Sequence, residues 1–130
     1  ANSSLSALID KLKDKEESIQ VEAAKEIGSR GSHAKRAESA LIDALKEKEV
    51  RFYAAIALVK INSNATESIP VLIEGLNHKN GRVRYLGATG LGKMGKKAKE
   101  AIPALSKLIQ DPDPEARSAV LLALKIIQGH

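Results

Sequence analysis

The chain has 130 residues, a formal net charge of +5, no Cys, no Trp, one Phe and two Tyr. A hydrophobic content of 43% is too high for a disordered chain, and no run reaches the roughly 18 apolar residues of a membrane span. The lack of Cys excludes a disulfide framework, a thiolate metal site and a cysteine nucleophile, and an aromatic content of 2% leaves a core of Ala, Leu, Ile and Val, as closely packed helices require.

The chain starts Ala1-Asn2-Ser3-Ser4 without Met, so removal of a preceding segment is expected. No basic stretch followed by an apolar run marks a secretory signal; a cytoplasmic location is expected, with a mature exported chain as the alternative. The first predicted helix carries Leu5, Leu8, Ile9 and Leu12 at helical spacing, with Ser6, Asp10, Lys11 and Lys13 as its polar outer face. The second begins near Ile19-Gln20-Val21-Glu22-Ala23-Ala24, carries Ile27 and closes on Gly31. This pair then recurs along the chain. Leu8, Leu41, Leu72 and Leu105 mark the first helices, with Pro70 and Pro103 in first turns, where a missing N–H costs little. Val50-Arg51-Phe52-Tyr53-Ala54-Ala55, Val83-Arg84-Tyr85-Leu86-Gly87-Ala88 and Ala116-Arg117-Ser118-Ala119-Val120-Leu121 mark the later second helices, the four starts lying 31, 33 and 33 residues apart. Gly31, Asn62 and Gly95 stand where a left-handed helix cap is tolerated. Asp111-Pro112-Asp113-Pro114-Glu115 supplies a turn and an acidic helix start. The result is helix, turn, helix, four times over, within one domain spanning 1–130 (repeats about 4–31, 37–62, 68–95 and 101–128). Ala54, Ala55, Ala57, Ala88, Ala119 and Ala123, with Gly87 and Gly90, sit where helix axes must approach closely.

The pattern Val-Arg-x-x-Ala-Ala-x-Ala-Leu-x-x-Ile-Gly, preceded by Ala-Ile-Pro-x-Leu, resembles the short HEAT-type repeat of phycobilin-lyase-like proteins. The resemblance runs from about Leu5 to Ile127 and implies an all-α, right-handed α-solenoid of four HEAT-like hairpins, with the second helices lining its concave side. It also implies that the Arg at the position of Arg51, Arg84 and Arg117 pairs with an acid in the preceding turn. Asp111 serves Arg117 in that scheme, but the equivalent before Arg84 is His78, repeat one has Gln20 instead of Arg, and repeat two has a turn shorter by two residues.

Gly90-Leu91-Gly92-Lys93-Met94-Gly95 matches the dinucleotide pattern G-x-G-x-x-G, but its register puts it on the C-terminal half of a helix, with no strand before it. His33, His78 and His130 are dispersed in predicted turns or at the terminus and read as solvated polar residues; no metal, cofactor or nucleophile–base pair is expected. The HEAT-like hydroxylases use His-Glu pairs, which this chain lacks, and the HEAT-like glycosylases rely on aromatic residues with an Asp, where this chain has no Trp.

Two features remain. All three aromatic residues, Phe52, Tyr53 and Tyr85, lie near starts of second helices and off the main apolar stripe. They are expected partly exposed, Phe52 beside Tyr85 and with Arg51 and Arg84 close by, as residue types enriched at binding hot spots; the alternative is that the rings plug the gap between helices. Second, Lys79, Arg82, Arg84, Lys93, Lys96, Lys97 and Lys99 fall in a stretch, 75–99, without Asp or Glu, which either attracts an acidic partner or forms a solvated rim. Val120, Leu121, Leu122, Ile126 and Ile127 make the last helix apolar on almost every side, so the array is expected to continue beyond His130 or to pair with another chain there. The function expected is a non-catalytic protein-interaction scaffold whose concave face uses Arg51, Phe52, Tyr53, Arg84 and Tyr85, with Lys93, Lys96 and Lys97 steering an acidic partner. Nucleic-acid binding through the basic stretch, and an accessory role in a lyase-type complex, are the alternatives.

Overall fold

The computed structural model describes residues 4–129, which are helical with no strand among them. Short first helices alternate with longer second helices: α1 (Leu5–Lys11) and α2 (Glu17–Ser29), α3 (Glu38–Ala44) and α4 (Val50–Ile61), α5 (Ile69–Gly75) and α6 (Gly81–Met94), α7 (Ile102–Ser106) and α8 (Pro114–Gln128). Each first helix packs on the second helix that follows it, and the second helices pack on one another in the order α2, α4, α6, α8. This is the α-solenoid that the repeats call for. His130 lies outside the described residues.

Local chemistry sets the helix ends. Ser4, Asn80 and Asp113 cap α1, α6 and α8 by accepting from backbone N–H groups of Ala7, Arg82 and Glu115. Pro70, Pro103 and Pro114 occupy first turns. Gly31 and Gly95 adopt positive φ of +55° and +60°, which suits glycine, although Gly95, with ψ −136°, is not in the left-handed helical region expected of a cap. Asn62 does not adopt positive φ: its backbone is extended (φ −149°, ψ 104°) and its side chain accepts from the N–H of Asn64. The chain there enters a short 3₁₀ turn, Thr66–Ser68, in place of the longer turns Gly31–Ala37 and Gly95–Ala101.

The core is almost wholly aliphatic, and α4 lies at its centre. Packed by α2 and α6 on its flanks and by α3 and α5 behind, α4 buries Val50, Phe52, Ala54–Val59 and Ile61. A helix apolar on every side is a buried helix. At two crossings a glycine faces an alanine. A Cβ added to Gly28 would come within 3.1 Å of the Cα and Cβ of Ala57, and one added to Gly92 within 3.3 Å of the Cα of Ala123. The two crossings are equivalent in the repeat register. Between α4 and α6 the small residue is Gly90 instead, with Ile56 and Leu72 against it.

The tightest approach within a hairpin is at Gly87, whose added Cβ would sit 2.8 Å from the backbone oxygen of Leu72. Backbone cannot yield as a flexible side chain does, so Gly87→Ala is expected to lower unfolding free energy by about 1–3 kcal/mol in urea titration. Thr89→Ala, two residues along the same helix and half-buried, is expected to stay within about 0.5 kcal/mol of the parent.

Candidate functional site

The face shared by the second helices carries two hollows. The larger, about 600 Å³, is a groove between α6 and α8. Tyr85, Ala88, Thr89, Gly92 and Lys93 line it from α6, and Glu115, Ser118, Ala119, Leu122, Ala123 and Ile126 from α8. Helical spacing explains the lining: 85, 89 and 92 form one stripe of α6, and 115, 119, 122 and 126 one stripe of α8. Small residues make the floor, while Leu122 and Ile126 stand 57% and 44% exposed on the wall. The Arg82 guanidinium lies 4.8 Å from the centre of the Tyr85 ring, a cation–π contact that holds the ring at one end of the groove.

The smaller hollow, about 230 Å³, lies where α2, α4 and α6 meet. Its floor is Ala24, Gly28, Ile56, Ala57 and Leu86; Tyr53, Lys25, Lys60 and Arg82 surround it. Lys25 Nζ lies 5.5 Å from the centre of the Tyr53 ring.

Of the residues expected to bind a partner, Tyr85 and Lys93 line the large groove and Tyr53 the small one. Lys96 and Lys97 are exposed in the turn after α6, and Lys96 Cε reaches Gly129 at the end of α8. Phe52 contradicts the expectation of exposure. It is 3% exposed, packed edge-on against His78 at 5.2 Å, with the Arg51 guanidinium 4.3 Å from its ring centre. The reason lies on α5, where Gly75 leaves space beside the ring: a Cβ there would touch Phe52 Cδ1 at 3.4 Å. Thirty-three residues on, Leu108 takes the place of Gly75, and Tyr85, the counterpart of Phe52, is half-buried in the groove instead. Nor is His78 a solvated loop residue. It is half-buried, its Nδ1 accepts from the Asn80 N–H at 3.0 Å, and its Nε2 lies 3.8 Å from Glu49.

The two arginines tie repeats together. Arg51 hydrogen-bonds the Glu74 carboxylate on α5 through Nε and a terminal nitrogen. Arg84 makes a two-pronged bond to Asp111, at 2.8 and 3.1 Å, and also donates to the backbone oxygens of His78 and Lys79. Each acid belongs to the following repeat, so the expected pairing with the preceding turn is corrected. What the preceding turn supplies is a carbonyl six residues back: Arg84 donates to His78, Arg117 to Asp111, and Gln20 does the same to Asp14. Gln20 thus replaces Arg in this bond, and Arg51, after its shorter turn, makes no such bond and spans to Glu74. Hydrogen bonds from Arg84 hold the Asp111 carboxyl below the ordinary carboxylate range, and Arg51 does the same to Glu74.

The apolar patch of α8 also divides. Val120 and Ile127 are fully buried, because Ala116, Val120, Ala123 and Ile127 form the stripe that faces the core. Leu122 and Ile126 belong to the groove. Leu121, 50% exposed, shares its stripe with the polar Ser118, Lys125 and Gln128, so α8 is not apolar on almost every side. Sequence reasoning missed Thr89, Ser118 and the groove role of Leu122 and Ile126, although their helical spacing from Tyr85 and Glu115 was available as a signal.

Comparisons with known proteins agree with this architecture. The HEAT-repeats family matches residues 5–84 and 69–130. The complex of CpcE and CpcF of phycocyanin lyase from Nostoc sp. PCC7120 is similar at 25% identity and TM-score 0.72, covering 99% of this chain and 55% of that one. An engineered protein is similar at 25% identity and TM-score 0.71, covering 96% of this chain and 62% of that one. This chain therefore spans little more than half the length of these structures. No curated protein matches its sequence.

The Arg84–Asp111 pair generates a stability prediction. The Asp111 side chain is 1% exposed, and it also accepts from the Asp113 N–H. Asp111→Ala leaves the Arg84 guanidinium without its carboxylate and is expected to cost about 3 kcal/mol in chemical denaturation. Because the folded-state pKa is depressed, this stabilisation is present above the unfolded value of about 3.9 and is lost as pH falls through the folded value. The parent should lose the pair's stabilisation as pH drops below about 4, and the variant should lack that component of the acid slope.

Proposed function

Because the chain belongs to the HEAT-repeat family, we propose that it is a non-catalytic scaffold whose second-helix face, concave in the solenoid, binds a protein partner. The observation that carries this is the groove between α6 and α8, with its floor of small residues, exposed Leu122 and Ile126, and Tyr85 and Lys93 at its ends and rim. An apolar groove with a few polar groups and one oriented aromatic ring suits an inserted apolar side chain or helix face. Arg51 and Arg84 act here as repeat ties, leaving Tyr53, Tyr85 and Lys93 as the contacts, with Lys96 and Lys97 beside the groove's far end. The two-subunit complex of the phycocyanin lyase neighbour supports a protein partner, and an accessory role in a lyase-type assembly is one form of this reading. Self-association through Leu121, Leu122 and Ile126 would use two of the groove residues, Leu122 and Ile126.

A second reading, nucleic-acid binding, is favoured by Lys79, Lys93, Lys96, Lys97 and Lys99, all exposed and without an ion-paired carboxylate among the described residues. Affinity capture from the source organism, with and without nuclease treatment, separates the two. Under the scaffold reading, the captured protein survives nuclease and is lost with Tyr85→Ala and Leu122→Asp together, while circular dichroism stays helical. Capture unchanged by those substitutions rejects the groove; capture abolished by nuclease alone transfers the function to the basic stretch.

A further inference from the structure

The small hollow between α2, α4 and α6 has a chemistry of its own. Its lining residues include three cationic side chains, Lys25, Lys60 and Arg82, and no carboxylate. These come from three successive second helices and converge on one opening, above an apolar floor of Ala24, Ile56, Ala57 and Leu86. The Lys60 stem lies across Gly28, at 3.5 Å from where a Cβ would stand. Lys25 pairs with Glu22 at 3.4 Å across an i, i+3 spacing, with both side chains more than half exposed, and lies over the Tyr53 ring. Such a pair is weak enough to be exchanged for another carboxylate. Arg82 lies over the Tyr85 ring, and it lines this hollow while its ring partner lines the larger groove.

Three like charges around an apolar floor repel one another unless an anion joins them, and a floor without polar groups gains most from an apolar body. At about 230 Å³ the hollow falls below the roughly 300–1,000 Å³ that encloses a whole small-molecule ligand. It fits a single side chain flanked by anionic groups. We infer that this hollow is an anion-recognising subsite for an acidic peptide segment, with an apolar or aromatic residue on the Ala24–Ile56–Leu86 floor and neighbouring carboxylates on Lys25, Lys60 and Arg82. The inference rests on the second-helix face being the partner-binding surface, and it adds the chemistry of the partner. The bound segment carries acids next to an apolar residue and lies one helix step from the anchor in the α6/α8 groove. The basic stretch after α6 is not part of this subsite.

The test is an NMR titration of the isotope-labelled chain with three probes: acetyl-Phe-Glu-Glu-amide, acetyl-Phe-Gln-Gln-amide and inorganic phosphate, at constant ionic strength. Saturable shifts centred on Lys25, Tyr53 and Arg82 with the acidic peptide are expected, with about tenfold weaker binding for the Gln peptide or for the Lys25→Gln, Lys60→Gln variant. Both substitutions are at exposed helix positions, so the fold is retained and verified by the unchanged remainder of the spectrum. Equal binding of the Gln peptide, retention of binding by the variant, or equally tight saturation by phosphate alone overturns the inference. Leu122→Asp, which disables the groove, leaves this titration unchanged, so failure of the groove and failure of the subsite are read separately.

Discussion

Close approach of the second helices is the constraint on which the rest of this protein depends. A chain with almost no aromatic residues cannot fill wide gaps between helices, so its helices must come together until backbone nearly meets backbone. Gly28 against Ala57 and Gly92 against Ala123 achieve this at the α2–α4 and α6–α8 crossings. The α4–α6 crossing uses Gly90 against Ile56 and Leu72 and therefore seats a large aliphatic side chain where the other two have a methyl group. Dispersion contacts across such crossings are individually small and collectively decisive.

The same small residues shape the surface above them. Ala88, Gly92, Ala119 and Ala123 are the floor of the large groove, and Ala24, Gly28 and Ala57 belong to the floor of the small one. Removing side-chain bulk to bring two helices together also removes what would have filled the furrow over their crossing. Packing and surface relief are in this sense one feature of the sequence. The outer edge of the layer is held differently. Arg51–Glu74 and Arg84–Asp111 each reach from a second helix to an acid of the next repeat and so fix the rotation between neighbouring hairpins. Arg84 adds bonds to the turn before it, which makes it a tie between three segments of chain.

The repeat register makes the helices, their order and their small-residue crossings legible in the sequence. Pro70 and Pro103 stand in first turns as their positions require, and Gly31 and Gly95 take positive φ. Tyr85 and Lys93 line the large groove, on the second helix where the register places them. What the register hides is the exchange of partners between equivalent positions. Phe52 and Tyr85 stand at one repeat position, yet Gly75 admits the first ring to the core and Leu108 stands where Gly75 would have admitted the second. That difference sits on another helix, more than twenty residues away, and no periodicity within α4 or α6 reveals it. Asp111 likewise looks toward Arg117 in the sequence and bonds Arg84 through its carboxylate, because the acid projects across the repeat boundary while its backbone oxygen serves Arg117. The apolar run in α8 divides three ways for a simpler reason, since three stripes of one helix meet the core, the groove and solvent.

The furrow left by small residues between α6 and α8 is the proposed binding surface. The most direct measurement is the partner affinity of Ala119→Leu, paired with its urea midpoint. Ala119 is half-buried on the groove floor, at the margin of the core rather than inside it, so a larger aliphatic residue there takes up groove volume. The account predicts a midpoint within error of the parent and an affinity reduced by about tenfold or more, since the inserted side chain occupies the partner's place. Affinity unchanged in a stably folded Ala119→Leu chain would contradict it.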